Sequence, residues 1–317
     1  MLPNDESVHA RAFGGPPVKS LEGNPYDVMK QLAGHVAATS TGNKELIVLT
    51  IDQSAANKAL LAIAANGDIQ SSESMLELIA RSGLGINNTS VVAVMKLLNK
   101  SGSYEKSINI FDELGTKYNM PHPNSFVWAC LLDAHASNKN VDEALKLLAH
   151  VEKSGLVLNA DMHNPILQGL MQQGRHDEVF DLWVNMKWKG VVANKESYDI
   201  MIEQCEHQGR PERAFFLLDE MKTVSVEPDP VTFSRLFRAC ATAPHWVNGY
   251  QDIIFDAMCA MEGRELMPTV EVYNSVIFAF ARAGDAIAAE FYLREMYQKE
   301  LVPDVTSYNY VFTAFAK

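Results

Sequence analysis

The side chains of this 317-residue chain that could make or break bonds are not grouped for it. Cys130, Cys205, Cys240 and Cys259 show no C-x-x-C spacing and fall inside apolar helical patterns, so all four read as reduced core residues in a reducing compartment. The histidines lack metal-ligand spacing on any one helix. His163 takes a place that other units give to an aromatic ring, so no metal site is expected. Neither an H-x-E with P-C-x-x-C nor a G-x-x-x-x-G-K phosphate loop occurs. The sequence therefore reads as non-catalytic, without a cofactor. What recurs is hydrogen-bonding chemistry. "PTVEVYN" at 268–274 returns as "PDVTSYN" at 303–309, 35 residues on, and the carboxamides Asn57, Asn164 and Asn274 stand in one phase.

A repeat must position these residues. Units start at Gln53, Asn88, Ser125, Ala160, Lys195, Pro230, Val270 and Val305. Five are 35 residues long, those from Asn88 and Pro230 carry two and five extra residues, and the last stops at Lys317. A ring falls fourth in Trp128, His163, Tyr198, Phe233, Tyr273 and Tyr308. A glycine such as Gly174, Gly209 or Gly284 falls mid-unit, with a bulky apolar residue (Met186, Met221, Met296) twelve later. Each unit reads as two helices. In "YDIMIEQCEHQG" Tyr198, Met201, Ile202 and Cys205 fall at i, i+3, i+4 and i+7, one buried face. Gly209 supplies the positive φ that stops this helix, and Pro211 opens the next, where a missing N–H costs least.

One hairpin cannot bury both apolar faces, so neighbours must stack. The expected fold class is all-α, a solenoid of helix-turn-helix hairpins over residues 53–317. A Gly/Pro-rich leader at 1–24 is expected to be mobile, and a helical cap at 25–52 to hold a helix from Pro25, capped by Asn24, and a covering segment Leu46–Ile51. Val305–Lys317 supplies a first helix only. Val311, Phe312 and Phe315 are expected to lack a cover there, as in a truncation or a partner-binding end.

The formal charge of −12 and pI near 5.2 argue against a generally basic nucleic-acid or membrane binder. No apolar run approaches the roughly 18 residues of a membrane span. Asp5, Glu6 and the single early Arg11 make a poor organelle presequence.

Units such as "VEVYNSVIFAFARAGDAIAAEFYLREMYQKELVPD" (270–304) resemble pentatricopeptide repeats, from about Gln53 to Lys317 and most closely from Ser125 onward. Their 35-residue period separates them from the 34-residue tetratricopeptide pattern. The resemblance implies a right-handed superhelix that binds single-stranded RNA in a mitochondrion or plastid, in RNA processing, stability or translation, one base per repeat. It also assigns residues. The second of each unit sandwiches the base, Phe126 and Val231 being the apolar examples, while Asp161, Glu196 and Glu271 are departures. The fifth and last choose it: Asn57 with Asn87, Asn164 with Asn194, Asp199 with Asp229, Ser234 with Thr269, and Asn274 with Asp304. The Asn–Asn and Asn–Asp pairs imply pyrimidines. Val92 and Ala129 lack any hydrogen-bonding side-chain group.

On a first helix the second, fifth, ninth, twelfth and thirteenth residues share one side. Lys96, Lys100, Arg238 and Arg282 are its cations, outnumbered by acids of which Glu196, Asp199, Glu203 and Glu206 crowd one unit. That stretch is expected to repel a phosphate chain, since RNA affinity leans on cations. The alternative is a protein-interaction scaffold, such as a structural subunit of a mitochondrial ribosome or another large assembly, whose acidic groove receives basic partner segments. Trp188 and Trp246 are its candidate partner contacts. No small-molecule substrate is expected.

Overall fold

The computed structural model describes residues 24–40, 52–118, 120, 122–244 and 249–317. The leader before Asn24, the covering segment Leu46–Ile51 and Trp246 lie outside the described residues. Sixteen helices and no strand occur among the described residues, in two compact units, Met1–Leu158 and Asn159–Lys317.

The first unit holds α1 (Pro25–Ser40) and three hairpins: α2 (Gln53–Ala65) with α3 (Ile69–Ser82), α4 (Asn88–Lys100) with α5 (Tyr104–Glu113), and α6 (Ser125–Ser137) with α7 (Val141–Lys153). α1 packs on α2 and α3, and α2, α4 and α6 follow one another as a layer. The Asn24 side chain accepts from Tyr26 N at 3.1 Å, opening α1. Leu32, Leu60, Ile63, Met75, Ile79, Met95 and Leu98 are buried together beneath these helices.

The second unit holds α8 (Ala160–Gln172) with α9 (His176–Trp188), α10 (Lys195–Gln208) with α11 (Pro211–Thr223), α12 (Pro230–Thr242) with α13 (Tyr250–Glu262), α14 (Val270–Ala283) with α15 (Ala286–Gln298), and α16 (Val305–Phe315). The first helices α8, α10, α12, α14 and α16 pack in succession, each of the first four against its own second helix. This is the α-solenoid arrangement of stacked hairpins.

Its core is written once per repeat. Tyr198, Phe233 and Tyr273 are 2%, 1% and 0% exposed, and Met186, Met221, Met261 and Met296 are fully buried. Buried phenols need an acceptor. Tyr198 Oη donates to Glu220 Oε1 at 3.0 Å and Tyr273 Oη to Glu295 Oε1 at 3.2 Å, each 22 residues on, so the two rings occupy equivalent places. Tyr308 takes the same helical position, but it is 37% exposed and its hydroxyl meets that of Tyr297. His163 fits the ring position too: it is buried, with Nδ1 2.8 Å from the Asn159 carbonyl. Gly209 ends α10 at φ 59.

The cysteine reading needs one correction. Cys130, Cys205 and Cys240 are core residues, and burial pushes the Cys205 and Cys240 thiols up to about 11 and about 12. Cys259 is exposed, because it lies on the outward side of α13 between the buried Met258 and Met261.

Candidate nucleic-acid interface

Every first helix leaves N–H groups at its start without intrahelical partners. The residue closing the preceding unit supplies one. Asp52, Asn87, Asn124, Asn159, Asn194, Asp229, Thr269 and Asp304 all have extended backbone, and each side chain accepts the backbone N–H three residues on. The position that resemblance gives to base choice is thus first a helix N-cap. The signal was present in sequence, as a short oxygen-bearing side chain before each apolar run.

In the second unit the cap joins a ladder that recurs at three junctions. The third residue of a unit carries a hydroxyl that accepts from the cap's own N–H and donates to the fifth residue of the unit before. Ser197 accepts from Asn194 N at 3.3 Å and donates to Asn164 Oδ1 at 2.7 Å. Thr232 does so between Asp229 N (3.3 Å) and Asp199 Oδ1 (2.8 Å), and Ser307 between Asp304 N (3.1 Å) and Asn274 Oδ1 (2.6 Å). Fifth and closing residues are thereby brought side by side: Asn164 Nδ2 lies 3.1 Å from Asn194 Oδ1, and Asn274 Nδ2 3.2 Å from Asp304 Oδ1.

The pairs differ in what they leave free. Asn274 is half-buried and Asp304 exposed. Asn164 is 2% exposed, and its amide also donates to Glu196 Oε2 at 3.0 Å. Asn57 is equally buried; it donates to the carbonyls of Gln53 (2.8 Å) and Gly85 (3.0 Å) and accepts from Asn87 N (2.9 Å). Both ends of the Asn57 carboxamide are thus bound to backbone. The exposed edge at these junctions belongs to Asn87 and, half-buried, Asn194. Ser234 is also turned inward, donating to Pro230 O at 3.1 Å, while Thr269 caps Val272. Phe126 (51% exposed) and Val231 (46%) do offer apolar surface.

The charge expectation changes more. Three of the acids crowding α10 meet cations. Glu203 Oε2 lies 3.0 Å from Arg235 Nη2, and Glu206 Oε1 2.7 Å from Arg238 Nε. Lys195 Nζ stands 2.5 Å from Asp199 Oδ2 and 2.9 Å from Asp229 Oδ2. The stretch read as repulsive is locally compensated by α12 and by the first residue of α10 itself. Arg235, sixth in its unit, and Lys195, first, both fall outside the five positions counted from the helical wheel. Compensation also ties up Arg238. Arg282 Nε donates to Ala241 O at 3.3 Å, and Lys96 and Lys100 are exposed. Asp133 accepts from Asn99 Nδ2 at 2.9 Å.

Between the C-terminal halves of α8 and α10 lies a polar recess of about 550 Å³ lined by Gln168, Gln172, His176, Glu203 and His207. His176 is held there by Gln204. Among the described residues no group of three His, Cys, Asp or Glu side chains is arranged to hold a metal ion, and no helix is long and apolar enough to cross a membrane. Trp188 is 89% exposed, one turn beyond Val184 (61%) on α9.

Family profiles match along this stack. The PPR repeat family matches residues 162–207 and 197–242, the pentatricopeptide repeat domain matches 249–317, and the PPR repeat matches 126–156. No curated protein matches the sequence significantly. Among solved structures the chain is similar to the pentatricopeptide repeat protein PPR10 in complex with an 18-nt psaJ RNA element (TM-score 0.52, 20% identity, over 90% of this chain and 43% of that one). It is likewise similar to PPR10 from maize (TM-score 0.51, 19% identity, over 93% and 45%). At that identity the likeness concerns the fold, and this chain spans less than half the length of those proteins.

Proposed function

This chain belongs to the pentatricopeptide repeat family, and we propose that it binds single-stranded RNA, without catalysing its chemistry, in organelle RNA processing, stability or translation. The observation that carries this reading is the ladder holding fifth and closing residues together at one edge of successive first helices, most openly at Asn274 and Asp304. A similar fold is described with a bound RNA element, which supports the same reading. A mitochondrial or plastid location rests on family resemblance alone.

The test is binding to randomised single-stranded RNA across a salt series. Expected is binding that persists at physiological salt and falls linearly in log–log form as phosphate contacts release counterions. Asn274→Ala is expected to erase a pyrimidine preference at one position of the selected motif; an unchanged motif from a stable, RNA-binding variant would count against the assignment. Failure to bind any RNA pool removes the reading and favours a scaffold. The exposed Trp188 and Val184 favour that second reading, in which they anchor a protein or ribonucleoprotein partner such as an organelle ribosome.

A further inference from the structure

The repeat from Lys195 to Asp229 carries a charged bridge at its reading edge. Its fifth and closing residues are both carboxylates, Asp199 and Asp229, a pair that could only accept hydrogen bonds. Lys195 changes that. Its ammonium lies 2.5 Å from Asp199 Oδ2 and 2.9 Å from Asp229 Oδ2, so it spans the two positions that the proposed function gives to base choice. The other carboxylate oxygens face inward: Asp199 Oδ1 accepts from the Thr232 hydroxyl at 2.8 Å, and Asp229 Oδ1 from Thr232 N at 2.9 Å. An ammonium carries three donors, and two are engaged. The Lys195 side chain is 40% exposed, so its third N–H reaches solvent.

The placement is not explained by the helix. Lys195 is the first residue of α10, where the macrodipole disfavours a cation. The two carboxylates hold it there, and together they keep its pKa above the ordinary lysine value although burial alone lowers it. The equivalent residue in the other units is Gln53, Asn88, Ser125, Ala160, Pro230, Val270 or Val305, none of them charged.

We propose that Lys195 is the specificity-determining residue of this repeat, and that with Asp199 and Asp229 it selects a base presenting a keto oxygen beside an imino N–H, guanine or uracil, over adenine and cytosine. The free ammonium N–H donates to the keto oxygen, and an outward lone pair of Asp199 Oδ2 or Asp229 Oδ2 accepts the imino N–H. With the base edge held in that same register, adenine and cytosine would set an exocyclic amino donor against the ammonium and a bare ring nitrogen against the carboxylate. The inference rests on the RNA-binding reading above.

It is tested by selecting the full chain and its variants against a randomised single-stranded RNA pool and comparing the base preference position by position. For the wild type one position is expected to favour G and U by about five- to a hundredfold, the range of a good two-point contact. K195M is expected to lose that preference while the flanking positions keep theirs, and K195R, which keeps charge and donors, to retain most of it. D199N/D229N, which keeps both acceptors of Thr232 and removes the anchoring charges, is expected to lose it too and covers the case of a K195M protein that melts early. Motifs unchanged in K195M and D199N/D229N overturn the role of Lys195 alone. No RNA bound by the wild type overturns the RNA-binding reading and this inference with it.

Discussion

At Asn164 and Asn274 the same side chain at the same place in a repeat has two different fates. Asn164 is sealed in, bonded to Ser197, Asn194 and Glu196, whereas Asn274 shares its cap-side contacts with solvent. Removing the first takes the nearest acceptor from the buried Ser197 hydroxyl and empties a place water does not reach, a cost of about 1–3 kcal/mol. Asn164→Ala is therefore expected to lower stability clearly, and Asn274→Ala by less than about 1 kcal/mol, since water reaches the exposed Asp304 and the Ser307 hydroxyl keeps Asp304 Oδ1 as an acceptor; equal losses in urea melts would contradict the difference in burial. The sequence made both residues visible, because asparagine in a fixed phase is conspicuous. It hid their unequal exposure, which depends on whether an acid such as Glu196 folds back from the next helix. Lys195 was less legible still. Its role arises from two carboxylates, one of them 34 residues away, meeting at its ammonium.

For single helices the decisive features are the ends. The Asp68 and Asp304 carboxyls lie below the ordinary carboxylate value chiefly because they accept the N–H of Ser71 and of Ser307. At Asp229 burial pushes the other way, but the Lys195 ammonium and Thr232 N–H outweigh it. A carboxyl whose folded pKa is depressed contributes stability that is complete above its unfolded pKa and disappears as pH falls through the folded value. Helical signal followed against pH at fixed temperature is expected to hold from neutrality to about pH 5 and to fall below about pH 4; a melt equally stable at pH 3 would deny the caps this contribution. The helix stops are equally specific. A Cβ on Gly209 would lie 2.5 Å from Thr242 O at a φ of +59, while one on Gly174, also in the left-handed region, meets nothing within 4 Å. Gly174→Ala is expected to cost about 1 kcal/mol for its backbone conformation alone. Gly209→Ala, which must also displace the end of α12, is expected to cost more, and thermal melts that rank the two in the opposite order would refute the packing. The glycine phase pointed to such stops from sequence. Which stop was crowded did not follow, because that depends on the neighbouring helix.

In the whole molecule the repeat phase made the stacked-hairpin class legible, since rings, glycines and methionines each kept step over more than a hundred residues. It gave no hint of the division after Leu158, where nothing in the phase changes. Each repeat depends mainly on its neighbours, so residues 159–317 produced alone are expected to keep helical circular dichroism and a cooperative melt; a disordered product would show that this unit borrows its stability. Net charge was a poor guide to the interface, because the −12 total does not reveal that Glu203 and Glu206 are each opposite an arginine. The closing residues carry a longer consequence. Each must begin the next helix, so mutation can drift there only among Asn, Asp, Ser, Thr and Gly without much loosening the array. If those residues also name the base, the vocabulary open to such a protein over evolutionary time is rationed by what can start a helix, and a new target is spelled in very few letters.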